Sequence, residues 1–123
     1  MVFINFTNHP SSTWTSEQIC AATKYGSIID IQFPNVNPSV TELDIEKIGN
    51  NAVEKIESLK PTVVLCQGEF CLSYYVIKEL QDRGILVLNA CSERRVTKEV
   101  NADSQTIKTS CYQFVKFRKY HRS

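Results

Sequence analysis

The sequence lacks a long apolar run, a basic leader segment and any large excess of charge. No apolar stretch approaches the roughly 20 residues that a membrane span needs, and the first residues offer neither a basic region nor a cleavage site for secretion. Fourteen Lys and Arg stand against thirteen Asp and Glu, which gives a formal net charge of +1. These absences predict a cytoplasmic protein without global attraction to membranes or to duplex nucleic acid.

Signatures of metal and cofactor binding are absent as well. The chain has only two histidines, and its five cysteines form no CxxC pair, so we expect no metal site. An odd number of cysteines fits free thiols in a reducing compartment better than a disulfide framework. Neither the GxGxxG fingerprint nor a P-loop lysine motif occurs, and no cofactor is predicted.

Apolar strands alternate with amphipathic helices along the first ninety residues. The stretch 62–66 contains four consecutive apolar residues without polar alternation, which is typical of a strand covered on both faces. The whole pattern predicts a single α/β domain over 1–123, with a three-layer, Rossmann-like architecture of about four parallel strands and three helices. The tail predicts a C-terminal β-hairpin with its turn at 101–104. The predicted strands are 2–6, 27–33, 62–66 and 85–88, and the helices begin near residues 15, 41 and 70.

Polar residues follow three of the predicted strands at the point where each strand ends. They are Asn8, His9, Ser11 and Ser12 in the first turn, Gln67, Gly68 and Glu69 in the second, and Ser92 and Arg94 in the third. The carboxyl ends of parallel strands meet at one edge of a sheet, where open α/β folds bind their ligands. We therefore predict that the three turns form one polar site.

Each turn suits a phosphate or a ribose, and each also has a purely structural interpretation. The first turn offers hydroxyls and free backbone amides for an anion, or it is a capped turn with a surface histidine. Gly68 would let a ligand approach the backbone, and Glu69 would bind a ribose hydroxyl, act as a base, or only complement the dipole of the next helix. Arg94 suits a phosphate because its planar guanidinium donates two hydrogen bonds, or it only pairs with Glu93 at the surface.

The residue types in these turns favour phosphodiester chemistry without a metal. Histidine is the side chain that most readily exchanges a proton near neutral pH, so His9 is the expected proton shuttle. The chemistry would be attack by a ribose 2′-hydroxyl on its own phosphate. Arg94 would stabilise the charge on the pentacoordinate phosphorus.

Five short motifs, spread over nearly the whole chain, carry a family resemblance. They are Asn-Phe-Thr-Asn-His-Pro-Ser with a nearby Trp, Asp-Ile-Gln-Phe-Pro-Asn-Val-Asn-Pro, Gln-Gly-Glu-Phe, Cys-Ser-Glu-Arg-Arg-Val and Phe-Val-Lys-Phe-Arg-Lys-Tyr. In these motifs the chain resembles small CRISPR-associated proteins that are stand-alone CARF-like, Rossmannoid domains, some of which are ring nucleases. The positions that the resemblance implies for the site are Asn8, His9, Ser11, Gln67, Glu69, Ser92 and Arg94.

The resemblance implies a homodimer that binds a cyclic oligoadenylate, the messenger of type III systems, across its two-fold axis. It also implies that cleavage of the messenger switches the response off. Two alternatives stay open. One is a non-catalytic cyclic nucleotide sensor with the same pocket, and the other is a nucleoside-processing hydrolase in which Glu69 attacks the anomeric carbon.

Overall fold

Four parallel strands and one antiparallel strand form a single mixed sheet in the order β2-β1-β3-β4-β5. The structure is a computed structural model that describes residues 1–100 and 105–122, except for the side chains at 97, 99 and 107–110. The elements are β1 (Val2–Thr7), α1 (Ser16–Thr23), β2 (Ser27–Gln32), α2 (Glu42–Ser58), β3 (Val63–Cys66), α3 (Phe70–Asp82), β4 (Leu86–Val100) and β5 (Thr106–Lys119). The predicted α/β class, with parallel strands and a C-terminal antiparallel pair, is confirmed.

Side-chain caps fix where two of the helices begin. The Thr15 hydroxyl accepts from the amide of Gln18 at the start of α1. At the start of α2 the Thr41 hydroxyl accepts from the amide of Asp44, and the Asp44 carboxylate accepts from the amide of Thr41. This reciprocal arrangement satisfies amides that have no partner within the helix. It also lowers the pKa of Asp44, chiefly through the hydrogen bond from the Thr41 amide.

Helices cover both faces of the sheet, and β3 is buried on each side. On one face Val64 and Cys66 pack in a core that includes residues of α2 and α3. On the other face Val63 and Leu65 pack with Ala22 of α1. All four β3 side chains are at most 1% exposed. The unbroken apolar run therefore reflects burial from two directions, as the sequence predicts.

The sequence predicts that a strand ends at 91–94, in the turn that contains Ser92 and Arg94. This prediction is wrong, because these residues lie inside a long strand. Strand β3 pairs with β4 only at Leu86–Leu88, but β4 continues to Val100 in antiparallel pairing with β5. The polar side chains do not end β4, because at 91–94 the strand has passed the end of β3 and lies outside the core of the sheet. The predicted hairpin turn at 101–104 lies outside the described residues. We call the part of the hairpin that extends beyond β3, residues 92–100 and 106–114, the hairpin arm.

A β-bulge lies where the hairpin arm leaves the sheet. Cys91 pairs with Lys116 and Ser92 pairs with Phe114, so Val115 is an extra residue in β5. The extra residue lets Phe114 and Phe117 face the same side, with ring centroids 4.9 Å apart. Phe117 also packs near Phe3 of β1. The bulge thus anchors the base of the arm on the α1 face of the sheet.

Within the described residues, no helix is both long and apolar enough to cross a membrane.

Candidate functional site

A cavity of about 530 Å³ lies on the α1 face, at the edge where β1 and β3 end. His9, Gln67 and Ser92 line it, together with the aromatic side chains of Trp14 and Tyr112. One residue from each of the three predicted segments therefore reaches the same space. We call this space the His9 cavity.

Hydrogen bonds to the backbone carbonyl of His9 hold the turn that carries this residue. This carbonyl accepts hydrogen bonds from Asn5 Nδ2 at 2.9 Å and from Trp14 Nε1 at 3.0 Å. The His9 amide donates to the hydroxyl of Thr7 at 3.1 Å, and this hydroxyl lies 2.8 Å from Asn5 Oδ1. Asn5 and Thr7 are both buried. A buried, mutually bonded group of this kind fixes the backbone from which the exposed His9 side chain projects.

Asp30 of β2 accepts hydrogen bonds from polar groups of the first turn, which the sequence predicts to be free to bind an anion. Its carboxylate accepts from the Ser11 amide at 3.2 Å and from the Ser11 hydroxyl at 2.9 Å. It also accepts from Asn5 Nδ2 at 2.9 Å, and Asn5 and Asp30 are direct partners across β1 and β2. The expectation of free groups at Ser11 is therefore wrong. Ser12 is exposed in the short 3₁₀ helix Ser11–Thr13 and is not among the residues that line the His9 cavity.

Gln67 bridges the gap that opens between β3 and β4 beyond the end of β3. Its Oε1 accepts from the amide of Ala90 at 3.0 Å. Its backbone amide donates to the carbonyl of Phe6. Within the described part of the chain, Gln67 Nε2 has no hydrogen-bond partner. Two amide hydrogens of a fixed side chain are thus available as donors at the wall of the His9 cavity.

Glu69 is the N-cap of α3, and its carboxylate faces the helix. It accepts from the amides of Cys71 at 2.8 Å and Leu72 at 3.0 Å. These hydrogen bonds, that of Leu72 first, lower the pKa of Glu69 below its ordinary range. A carboxylate held in this way is a weaker base and nucleophile than a free one. Glu69 does not line the His9 cavity; it shares a separate cavity of about 460 Å³ with Asn8.

Gly68 is required by protein packing. A Cβ at this position would lie about 2.5 Å from atoms of the Phe33 ring. Phe33 is buried against Phe6, with ring centroids 4.9 Å apart. The glycine therefore accommodates an aromatic core residue, whereas the sequence suggests a close approach of ligand.

Arg94 lies two residues further out along the arm than Ser92, on the same face. Alternate residues of a strand share a face, and direct antiparallel partners do too. Arg94 pairs directly with Tyr112, whose side chain lines the His9 cavity, although Arg94 itself does not line it. The suggested pairing of Arg94 with Glu93 does not form; Glu93 lies 3.7 Å from Arg95 instead.

Comparison with known proteins places the chain in one family. A model of the Uncharacterized protein MJ1673 family matches residues 1–118. The chain belongs to this family. No curated protein and no solved structure matches it. The match to the MJ1673 family includes the residues that line the His9 cavity, since these extend only to Phe114.

Several residues that shape the site in this MJ1673 family chain are not found by sequence reasoning. Trp14 and Tyr112 line the cavity, and Asn5 and Asp30 hold the His9 turn. Asn5 does leave a signal, because it is a lone polar residue in an otherwise apolar strand. Tyr112 leaves none, since its place depends on the pairing of β4 with β5. In the described residues, no three His, Cys, Asp or Glu side chains are grouped so that they could hold a metal ion.

Proposed function

We propose that this protein is a cytoplasmic ring nuclease of Rossmann-like, CARF-like type. It would bind and cleave a cyclic oligoadenylate and so switch off type III CRISPR signalling. The observation that supports the proposal is the His9 cavity, which groups an imidazole, a side-chain amide donor without a partner among the described residues, the Ser92 hydroxyl and three aromatic rings at one sheet edge. Its volume of about 530 Å³ lies within the usual range of small-molecule sites.

The aromatic and polar groups of the cavity match different parts of a nucleotide. Trp14 and Tyr112 offer ring faces on which adenine stacks, an interaction that contributes about 1–3 kcal/mol per base. Gln67 Nε2 and the Ser92 hydroxyl offer donors to phosphate oxygens. In the proposed homodimer, two such cavities act on one cyclic ligand across the two-fold axis.

The proposed reaction uses the ribose 2′-hydroxyl as the nucleophile. His9 accepts the proton of the 2′-hydroxyl as the bond from its oxygen to phosphorus forms. The bond from phosphorus to the 5′-oxygen breaks, and His9 returns the proton to that oxygen. The product is a linear oligoadenylate with a 2′,3′-cyclic phosphate and a 5′-hydroxyl. Gln67 and Arg94, which lies two residues beyond Ser92, stabilise the added negative charge on the phosphate in the transition state.

The test is incubation with cyclic tetra-adenylate and cyclic hexa-adenylate in EDTA, with products identified by mass spectrometry. We expect the linear product described above. We expect His9→Ala to lower the rate by about 100-fold or more, the usual contribution of a general acid–base group. His121→Ala is the matched control, because His121 is the second histidine of the chain and does not line the His9 cavity.

Each other outcome of this assay contradicts the proposed reaction. Uncut substrate at high enzyme concentration excludes it. Tight binding without turnover, in the wild type and in His9→Ala alike, identifies a sensor. Release of free adenine identifies a nucleoside-processing hydrolase. That reaction would need the Glu69 carboxylate, which the start of α3 already engages.

A further inference from the structure

A groove larger than the His9 cavity runs between the start of α3 and the segment that leads into α2. Its volume is about 730 Å³, and Phe70 and Tyr74 form part of one wall. Phe70 is 90% exposed and Tyr74 is 70% exposed. They lie four residues apart on α3 and therefore form one ridge. Large aromatic side chains exposed together mark an interaction surface more often than a chance feature. We call this surface the aromatic groove.

All the charged side chains that line the aromatic groove are acidic, and apolar side chains line it beside them. Glu42, Glu46 and Glu69 line it, and none of its lining residues is Lys or Arg. Val36 and Ile45 extend its apolar surface. A surface of this kind favours a partner that combines apolar side chains with positive charge, since cations are also attracted to aromatic faces.

The hairpin arm has the complementary composition. Val96 is 43% exposed and Tyr112 is 74% exposed, and the exposed cations Arg94 and Lys98 lie on the same face of the arm. The charge of the chain is divided in the same sense. The arm itself, residues 92–100 and 106–114, contains four Lys and Arg against two Asp and Glu, whereas residues 1–90 contain six against ten.

The arm also lacks support of its own. Beyond β3 it is a ribbon of two strands, and such a ribbon is only marginally stable in water without further packing. Phe114 is buried at the base of the arm. Further out, Arg94–Val96 and Tyr112 are exposed within one copy, and no residue of the arm lines the aromatic groove of its own chain.

We propose that the hairpin arm of one copy docks in the aromatic groove of a second copy. Each copy then gives one arm and receives one, so that a closed pair forms. Lys98, in the outer part of the arm, lies against Phe70 and Tyr74 and pairs with Glu42 or Glu46. The inference rests on the homodimer of the proposed function, but it requires none of the reaction steps, which involve residues at the base of the arm.

Sedimentation velocity of the full chain at low and high salt tests the inference. We expect a dimer at low salt that weakens as salt rises, because the interface contains exposed charge pairs. Glu42→Lys with Glu46→Lys makes both groove and arm basic, and Val96→Glu with Lys98→Glu makes one face of the arm acidic like the groove. Each double variant alone is expected to be at least tenfold weaker in self-association. A mixture of the two is expected to associate again, because each arm then meets a groove of opposite charge.

Circular dichroism of each double variant shows whether it is folded, and the mixing experiment remains decisive because an unfolded variant would not be rescued by its counterpart. A monomeric wild type, or a dimer that neither variant weakens, overturns the inference. So does a Phe70→Ser variant that keeps the dimer but loses binding of cyclic tetra-adenylate, since the groove would then hold the ligand. Restored association in the mixture without any cleavage by the wild type contradicts only the proposed function. Cleavage by a wild-type monomer contradicts this inference and the homodimer of the proposed function, but it leaves the proposed reaction standing.

Discussion

The indole of Trp14 donates a hydrogen bond to the backbone carbonyl of His9 over 3.0 Å. The same ring meets Phe3 edge-on, with centroids 6.1 Å apart and an angle of 86° between the ring planes. Trp14 therefore joins the core of the α1 face to the turn that presents His9. Its position in the His9 cavity is tied both to the fold and to the proposed chemistry.

Trp14→Phe separates these two roles, because it keeps an aromatic ring and removes the N–H donor. We expect the free energy of unfolding to fall by about 1 kcal/mol, the usual contribution of one hydrogen bond. We expect cleavage of cyclic tetra-adenylate to slow by about tenfold, because small displacements of a catalytic group have large effects on rate. Urea unfolding and initial rates measure the two effects. Tyr25→Phe is the control, since Tyr25 also packs on Phe3 but does not line the cavity; equal rates in the two variants would contradict the prediction.

Glu69→Ala removes the cap of α3, and its effect depends on pH. At pH 7 we expect the variant to be less stable by about 1 kcal/mol, as is typical when a helix cap is lost. The pKa of Glu69 is lowered in the folded protein from an ordinary value of 4.5. The stabilisation is therefore fully present above 4.5 and is lost as the pH falls through the lower folded value.

Urea unfolding between pH 7 and pH 3 measures this convergence of wild type and Glu69→Ala. Glu54→Gln is the control, because Glu54 is exposed on α2 and makes no hydrogen bond or ion pair within the described residues. A stability difference that stays constant over the whole range would show that the carboxylate does not act through its charge.

Gly68→Ala forces a methyl group against the Phe33 ring. We expect a loss of about 1–3 kcal/mol in unfolding free energy, the usual cost of overpacking a core. Gly68→Ala combined with Phe33→Leu should lose less stability than the two single variants together, since the smaller side chain leaves space for the methyl group. Thermal unfolding of the four proteins measures this. Additive losses would mean that the ring and the glycine are not in conflict.

Thiol alkylation followed by mass spectrometry should divide the cysteines by environment. Burial raises the pKa of Cys66 to about 12, so we expect no reaction at Cys66 until the protein unfolds. Cys71 is exposed, but the nearby Glu69 carboxylate raises its pKa, first through a hydrogen bond and then through its charge. Cys71 should therefore react more slowly than the exposed Cys20, and Glu69→Gln should accelerate it. Rapid alkylation of native Cys66 would contradict the buried position of β3.

The sequence predicts the central sheet well, because a strand that is buried on both faces, such as β3, has an unbroken apolar run within its own few residues. It fails at 91–94, where the polar residues resemble a turn and the strand is maintained by β5, some twenty residues later in the chain. In the site, the meeting of His9 and Gln67 at one cavity follows from topology, since the strand ends share an edge. Ser92 reaches the same cavity from inside β4, where the sequence predicts a strand end. The direction of the Glu69 side chain and the pairing of Asp30 with Ser11 do not follow, because they depend on rotamers and on cross-strand register.

Val115, the extra residue of β5, also controls the direction of the hairpin arm. A bulge bends its strand and increases the local twist, and this one lies where the arm leaves the sheet. A chain without Val115 would have Phe114 and Phe117 two positions apart, so a regular strand would still place both rings over α1. We expect such a deletion to leave the central sheet intact and to change the direction of the hairpin arm. A change of one residue would therefore alter the orientation of the arm without preventing folding.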